Sequence, residues 1–178
     1  MNVQRPELIR ELIEPYRQAL EADFEAYLNH CFRIWNFCLA LAGEGGEKEV
    51  KIAVATVFHD LGIWSDRTFD YLPHSKKLAR EYLEKTGRNG WIDEILCMIE
   101  EHHKLTEWKG NQEWLVEPFR KADLIDISGG LIRFSMDDEF VREVLEEFPN
   151  EGFHKTLVRL ALKRFRTHPF SPLPMVKW

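Results

Sequence analysis

Apolar residues recur along most of the chain at the spacing of an α-helix. The first such stripe follows Pro6 and consists of Leu8, Ile9, Leu12, Ile13 and Tyr16. Side chains at these spacings share one helix face, so the stripe predicts an amphipathic helix. We find no convincing run of alternating apolar and polar residues, the pattern that indicates a half-buried strand. The pattern predicts an all-α protein.

Prolines and glycines divide this pattern into segments. Pro15 predicts a break or kink in the first helix, and the glycines that begin at Gly43 end the second. Helices are predicted over residues 18–41, 47–61, 74–86, 90–104, 115–127, 136–148 and 152–166. Residues 63–73 are predicted to be a loop rich in aromatic residues and aspartates. Because no linker or repeat interrupts the pattern, we expect one domain over residues 1–178.

Composition and charge narrow the classes of function. The net charge of −6 argues against a protein that coats nucleic acid polymers. No apolar run approaches the roughly 20 residues that span a bilayer, and the N-terminus lacks an apolar signal core. The three cysteines form no CxxC pair and lie within apolar runs, so we expect buried, reduced thiols in a cytoplasmic protein without a membrane partner. The oligomeric state stays open.

The most informative short motif is the adjacent pair His59 and Asp60, at the end of a predicted buried helix. Together they offer a neutral nitrogen and an anionic oxygen, a mixed set that suits zinc, iron or manganese. The dipeptide alone is weak support, because most such pairs are chance neighbours.

Other polar residues lie on apolar helix faces. They are His30 near Tyr27, His102 after Ile99, and Asp123 after Phe119. Burying an unpaired carboxylate is costly, so an acid in such a position needs a partner. One such residue is explained by a hydrogen bond or ion pair in the core. Several helices that each direct an imidazole or a carboxylate inward are better explained by one shared cation.

These residues and their order resemble the HD superfamily, which is named for the His-Asp doublet. The resemblance covers about residues 20–130, in the segments NHCFRIW, TVFHDLG, LPHSK, IEEHHK and RKADLID. It implies the metal ligands His30, His59, Asp60, His74, His102 and Asp123. It also implies a bundle of at least five helices with the metal at its centre. Residues 131–178 would then be a variable helical extension and tail.

The resemblance further implies one or two divalent transition-metal ions, which would be Fe, Mn, Zn, Ni or Co. Members with two additional histidines between the doublet and the last aspartate usually hold two ions. Because His74 and His102 are candidates for these positions, we expect two ions bridged by Asp60, with a single ion as the alternative. His103 is either a further ligand or a residue that contacts a ligand or the substrate.

Most members of the superfamily hydrolyse phosphate esters with a metal-activated water, so we expect a small phosphorylated substrate, in the first place a nucleotide. The catalytic residues expected are Asp60 as the shared ligand, Arg33 as a phosphate-binding residue, and Lys104.

One position departs from the superfamily. Many members place a lysine or glutamate three residues after the doublet's aspartate, where this chain has Ile63. Proton donation would then fall to Lys76, Lys104 or His103. The departure leaves two alternatives open: an HD-type diiron oxygenase, and a catalytically silent module that binds a nucleotide.

Overall fold

The computed structural model describes residues 2–170 and 173–177, and α-helices dominate that part of the chain. The helices are α1 (Glu7–Ile13), α2 (Arg17–Leu20), α3 (Phe24–Ala42), α4 (Glu47–Phe58), α5 (Gly62–Ser65), α6 (Leu72–Lys85), α7 (Ile92–Glu101), α8 (Val116–Ile127), α9 (Asp138–Glu147) and α10 (Phe153–Thr167). Short 3₁₀ helices occupy Glu14–Tyr16, Glu21–Asp23 and Asn89–Trp91. Within the described ranges there is no strand, only one isolated bridge between Lys104 and Lys177. The predicted all-α class is confirmed.

Helix α3 is the centre of the bundle. It packs most extensively against α8 and α4, and it also contacts α1, α9 and α10. Most of its side chains are buried because apolar residues occupy nearly every face, as expected of a helix surrounded by others. It ends at Gly43, whose φ of +76° is readily adopted only by glycine. The side chains that α3 directs inward therefore meet several other helices at once.

The predicted start of this central helix is wrong. A helix from residue 18 is interrupted at Glu21, which has a φ of +49°, and α3 begins only at Phe24. A positive φ costs energy in a residue with a Cβ atom, so the chain leaves the helical conformation there. The sequence has neither glycine nor proline at this position, and the break could not be predicted from the pattern.

The helix predicted over residues 47–61 is also shorter than expected. Helix α4 ends at Phe58, and the His-Asp doublet lies in the turn between α4 and α5. Backbone hydrogen bonds of the turn join the Ile63 amide to the Asp60 carbonyl at 3.0 Å and the Trp64 amide to the Leu61 carbonyl at 3.2 Å. Because α5 follows this turn directly, the first residues of the predicted loop 63–73 belong to α5.

The extension after α8 partly covers the bundle. Phe153, the buried residue of α10, stacks on the His30 ring with 4.0 Å between centroids. The tail returns to the end of α7, where the Leu105 amide donates to the Lys177 carbonyl at 2.8 Å. The Lys177 ammonium lies 2.6 Å from Glu100 and 2.9 Å from Glu101. The backbone hydrogen bond and these ion pairs therefore hold the tail against the end of α7 and the residues that follow it.

Two expectations from composition have a structural counterpart. Cys31 and Cys38 are buried free thiols as predicted, whereas Cys97 is only partly buried. Among the described residues, no helix combines the length and the apolar character that a bilayer crossing needs.

Candidate metal centre

Imidazoles and carboxylates from four parts of the bundle converge at its centre. His30 comes from α3, His59 and Asp60 from the turn after α4, His102 from the turn after α7, and Asp123 from α8. Each of these residues is at most 2% exposed. Five of the six predicted ligands are thus brought together in a region that water does not reach freely.

The first group consists of His30, His59 and Asp60. The Nε2 atoms of the two histidines lie 3.1 Å apart, and Asp60 Oδ2 is 3.5 Å from His59 Nε2. The His59 Nδ1–H donates to the Thr56 carbonyl at 2.7 Å, and the His30 Nδ1–H donates to Asp126 Oδ2 at 2.6 Å. With both Nδ1 atoms protonated, both Nε2 atoms carry lone pairs and cannot bond to each other. Two ligands of one tetrahedral ion stand about 3.3 Å apart, so a shared cation fits this pair.

The second group consists of Asp60, His102 and His103. The His102 Nδ1–H donates to the Ile99 carbonyl at 2.7 Å, which leaves Nε2 as the acceptor, 3.4 Å from Asp60 Oδ1. His103 is nearby, with its Nε2 atom 2.8 Å from the Tyr71 hydroxyl. The side-chain nitrogens and oxygens of each group come within 4.8 Å of one another, so each group could hold a metal ion.

The Asp60 and Asp123 carboxylates lie between the histidines of the two groups. Asp60 directs one oxygen to each, and Asp123 places Oδ1 3.9 Å from His59 Nε2 and Oδ2 3.3 Å from His103 Nδ1. The Oδ1 atoms of both aspartates are buried without a hydrogen-bond partner. An unpaired buried carboxylate oxygen is strongly unfavourable, and a bound cation removes the penalty. The residues present therefore fit a divalent metal.

The pKa values of His59, Asp60 and Asp123 agree with the protonation states of metal ligands. The pKa of His102 differs, because burial lowers it but the Asp60 and Asp123 carboxylates outweigh burial and hold it above its usual value. Burial lowers the pKa of His59 to about 4, so its imidazole is neutral near pH 7. Burial raises the pKa of Asp60 and of Asp123, but the surrounding histidines outweigh it and hold both values below the usual range. Neutral imidazoles and ionised carboxylates are the forms that coordinate metals.

A family model described as "HD domain" matches residues 27–134. This span contains every residue of the two groups. The chain belongs to the HD domain family. Comparison with curated proteins and with solved structures finds no match. HD domains bind divalent metals and are generally metal-dependent hydrolases, and the ligand groups of this chain agree with both properties.

The sixth expected ligand of the HD domain, His74, lies elsewhere. Its side chain is 42% exposed, and its Nδ1 atom is 3.2 Å from Asp66 Oδ1. Helix α6 begins at Leu72, two residues earlier than predicted, which places His74 in an exposed position of the first turn. The structure does not place His74 in either group, and the second group contains His103 in addition to His102.

The expected phosphate-binding residue of the HD domain, Arg33, does not face the site. Its guanidinium is 1% exposed and pairs with Asp126 through Nε and, at 3.1 Å, through Nη2. Its Nη1 donates to the Phe148 carbonyl at 2.9 Å. Because Asp126 accepts from His30, Arg33 fixes the orientation of a candidate ligand and is not placed to bind a phosphate.

A cavity of about 280 Å³ opens onto the metal groups. Asp60, Asp123 and His102 form part of its floor, and Lys104 lines it beside His103. Lys76, the other lysine considered as a proton donor, instead pairs with Glu100. Ile63, Phe69 and Tyr71 also line the cavity, so the segment after the doublet forms one of its walls.

Sequence reasoning missed Asp126 and left the role of His103 open. Asp126 follows Asp123 by three residues, a spacing that places both carboxylates on one face of α8. That spacing could have identified Asp126 as a buried acid. No comparable signal existed for Tyr71, whose hydroxyl reaches the histidines through the loop conformation.

Proposed function

We propose that this HD domain hydrolyses a small phosphate ester at a two-metal centre, with Asp60 as the shared ligand. The observation that carries the proposal is the Asp60 carboxylate, which directs Oδ2 to His59 at 3.5 Å and Oδ1 to His102 at 3.4 Å. A carboxylate shared between two sets of imidazoles is the ligand arrangement of two-metal hydrolytic sites. The nucleotide expected from the resemblance is one member of this ester class.

The ligands divide between the two positions. His30, His59, Asp60 and Asp123 would hold the first ion, and Asp60, Asp123, His102 and His103 the second. Ions bound there supply a water of lowered pKa and neutralise phosphate oxygens. His103 would coordinate through Nδ1, while its Nε2–H donates to the Tyr71 hydroxyl, the kind of outer contact that orients a ligand.

The protein's own contribution is to position the ester and to supply a proton. Apolar side chains make up most of the cavity lining beside the metal groups. Lys104 lines the cavity next to His103 in the chain, and its ammonium would donate a proton to the departing oxygen. This assigns to Lys104 the role that a lysine or glutamate at the position of Ile63 has in many relatives.

The test is phosphate release by protein reconstituted with Mn²⁺, Fe²⁺ or Zn²⁺ and assayed without oxygen against a panel of phosphate monoesters. We expect turnover that Asp60→Ala abolishes, because this substitution removes a ligand from both groups. Lys104→Met should lower kcat more than it raises KM. Asp93→Asn is the matched control, since Asp93 is an exposed acid on α7.

Two results would contradict the proposal. One is fully metal-loaded protein that releases no phosphate from any ester of the panel. The other is hydrolysis that survives Asp60→Ala, which would mean that the activity does not arise at this centre.

One observation favours a second function, an HD-type diiron oxygenase. Ile63 is 5% exposed and lines the cavity where many hydrolytic relatives have a polar residue, and the walls around it are apolar. An oxygenase acting on an organic compound needs two ions but no proton donor at that position. Oxygen uptake by the reduced, iron-loaded protein, together with no anaerobic phosphate release, would support this alternative.

A further inference from the structure

The cavity above the metal groups separates polar from apolar side chains. Its polar lining residues are Asp60, Tyr71, His102, His103, Lys104 and Asp123. All of them except Lys104 are joined by side-chain contacts at the metal groups, which form the floor of the cavity. Every other described residue that lines it is apolar. A compound bound here has a polar group against the metals and the rest of its surface against hydrocarbon.

The apolar walls come from segments far apart in the chain. Ile63 belongs to α5, Ile127 to α8, Leu157 and Ala161 to α10, and Met175 to the tail. Met175 is 4% exposed, so the tail closes this side of the cavity. These walls provide no side-chain hydrogen-bond donor or acceptor among the described residues. A sugar or a nucleobase placed there would lose hydrogen bonds to water without replacement.

We propose that the cavity is a subsite for a compact alkyl or aryl group attached to the ester phosphate. The proposal rests on the proposed hydrolytic function and narrows it to apolar monoesters instead of nucleotides. Continuity with the metal groups supports it, because Asp60, His102 and His103 belong to the second group and also line the cavity. An apolar group in the cavity is therefore adjacent to the reacting phosphate.

The volume sets the size of this group. An apolar cavity of roughly 150 Å³ holds one benzene ring. The cavity of about 280 Å³ consequently has room for roughly two rings or for a chain of eight to ten carbons. Each buried methylene should strengthen binding about fourfold until the chain fills the space.

The test is calorimetric titration of Mn²⁺-loaded protein with n-alkylphosphonates from methyl to dodecyl, which no hydrolase of phosphate esters cleaves. We expect the affinity to rise about fourfold per methylene and to level off near eight to ten carbons. Octylphosphonate should bind more tightly than adenosine 5′-monophosphate. A flat series, no binding by any member, or tighter binding of the nucleotide would overturn the subsite.

Two substitutions in the cavity wall should change the dependence of affinity on chain length in opposite directions. Ala161→Phe should fill the cavity and remove the chain-length dependence while methylphosphonate binds as before. Ile127→Ala should enlarge the cavity and move the plateau to longer chains. Leu162→Phe is the control, because Leu162 lies on the same helix, is 58% exposed and does not line the cavity. Wall variants that leave the series unchanged would overturn the subsite.

Hydrolysis of the matching alkyl phosphates separates this proposal from the function on which it rests. Chain-length-dependent binding of phosphonates without hydrolysis of octyl phosphate would retain the subsite and contradict the hydrolase. Hydrolysis of methyl phosphate and nucleotides, with no gain for octyl phosphate, would retain the hydrolase and overturn the subsite.

Discussion

The Asp126 carboxylate links a buried arginine to a candidate metal ligand. It accepts from Arg33 on one side and from the His30 Nδ1–H on the other, and all three residues are buried. Burial raises the pKa of Asp126, but the Arg33 guanidinium outweighs it and holds that pKa well below the usual range. The ionised carboxylate keeps the His30 proton on Nδ1, so Nε2 remains available to a metal.

We expect Asp126→Asn to weaken metal binding by roughly 10–100-fold, the usual effect of losing a partner of a ligating histidine. The measurement is a metal titration with a competing chelator. Since a neutral amide in place of the Asp126 carboxylate would leave the Arg33 charge buried without a counterion, Arg33→Met/Asp126→Asn is the matched variant. A double variant with the stability and the metal affinity of the wild type would contradict the positioning role.

Substitutions of His103 and His74 test which of these two histidines binds the second metal ion. His103 lies within the second group, whereas His74 is 42% exposed and outside both. His103→Ala should lower the metal content from two equivalents per chain towards one, and His74→Ala should leave it unchanged. Elemental analysis of both variants, purified identically, is the measurement. A loss of metal in the His74 variant alone would reverse the assignment.

At the scale of elements, the turn that carries the doublet is held by a close contact with the start of α6. A Cβ atom on Gly62 would lie 2.6 Å from the Tyr71 carbonyl oxygen and 3.0 Å from the Ser75 amide nitrogen. The Gly62 amide also donates to Ser75 Oγ at 3.0 Å. The absence of a side chain at Gly62 thus allows α5 and α6 to approach, two residues after Asp60.

Gly62→Ala should destabilise the protein by about 1–3 kcal/mol, since the new methyl group meets backbone atoms that cannot move independently. It should also weaken metal binding, because the displaced turn carries Asp60. Urea denaturation and metal titration measure the two effects. Gly90→Ala is the control, because a Cβ there meets nothing within 4 Å. Equal stability of the two variants would contradict the packing argument.

Arg120, held by Glu117 on the same helix, joins α8 to the segment that follows α7. Arg120 donates to the Glu117 carboxylate at 2.7 Å and to the Lys104 carbonyl at 3.0 Å. Burial raises the pKa of Glu117, but the Arg120 hydrogen bonds outweigh it and hold the pKa below its usual 4.5. Because the pKa of Glu117 is lower in the folded state, its ionised carboxylate stabilises the fold fully above pH 4.5. This stabilisation is lost as the pH falls through the pKa that Glu117 has in the folded protein.

Glu117→Gln should therefore be less stable than the wild type at pH 7, by about 1 kcal/mol after solvent screening. The difference should shrink as the pH falls below 4.5. Thermal unfolding of both proteins across this range is the measurement, with Glu113→Gln as a control at an exposed acid. A stability difference that grows towards low pH would show that the sign is wrong.

At the scale of the whole molecule, the metal groups join helices that are distant in the chain. The ligands come from α3, α8 and the turns after α4 and α7, with Asp60 and Asp123 both ionised in the buried centre. Without cations, two unpaired carboxylate oxygens remain buried there, which favours unfolding.

Removal of metal by a chelator should lower the thermal midpoint by roughly 10 °C, since a ligand at a thousandfold excess over its Kd stabilises the folded state by about 4 kcal/mol. Calorimetry before and after chelation, with metal content measured on the same samples, tests this. Restoration of the midpoint by added Mn²⁺ but not by Mg²⁺ is expected of nitrogen-rich sites. An unchanged midpoint after verified metal removal would contradict the structural role.

The sequence by itself determined the helical class and most of the centre. Helical spacing placed His30, His102 and Asp123 on apolar faces, and the cost of burying an unpaired carboxylate made a shared cation the simplest explanation. These conclusions needed only local periodicity and elementary electrostatics. The same local reasoning could not locate the break at Glu21, where no glycine or proline marks the positive φ.

Only the tertiary structure decided how these groups and their surroundings are used. It paired Arg33 with Asp126, left His74 exposed, brought His103 to the second group, and built an apolar cavity from α5, α8, α10 and the tail. Each of these outcomes depends on contacts between segments far apart in the chain. Periodicity shows which face of a helix is buried, but the neighbouring element determines what that face meets.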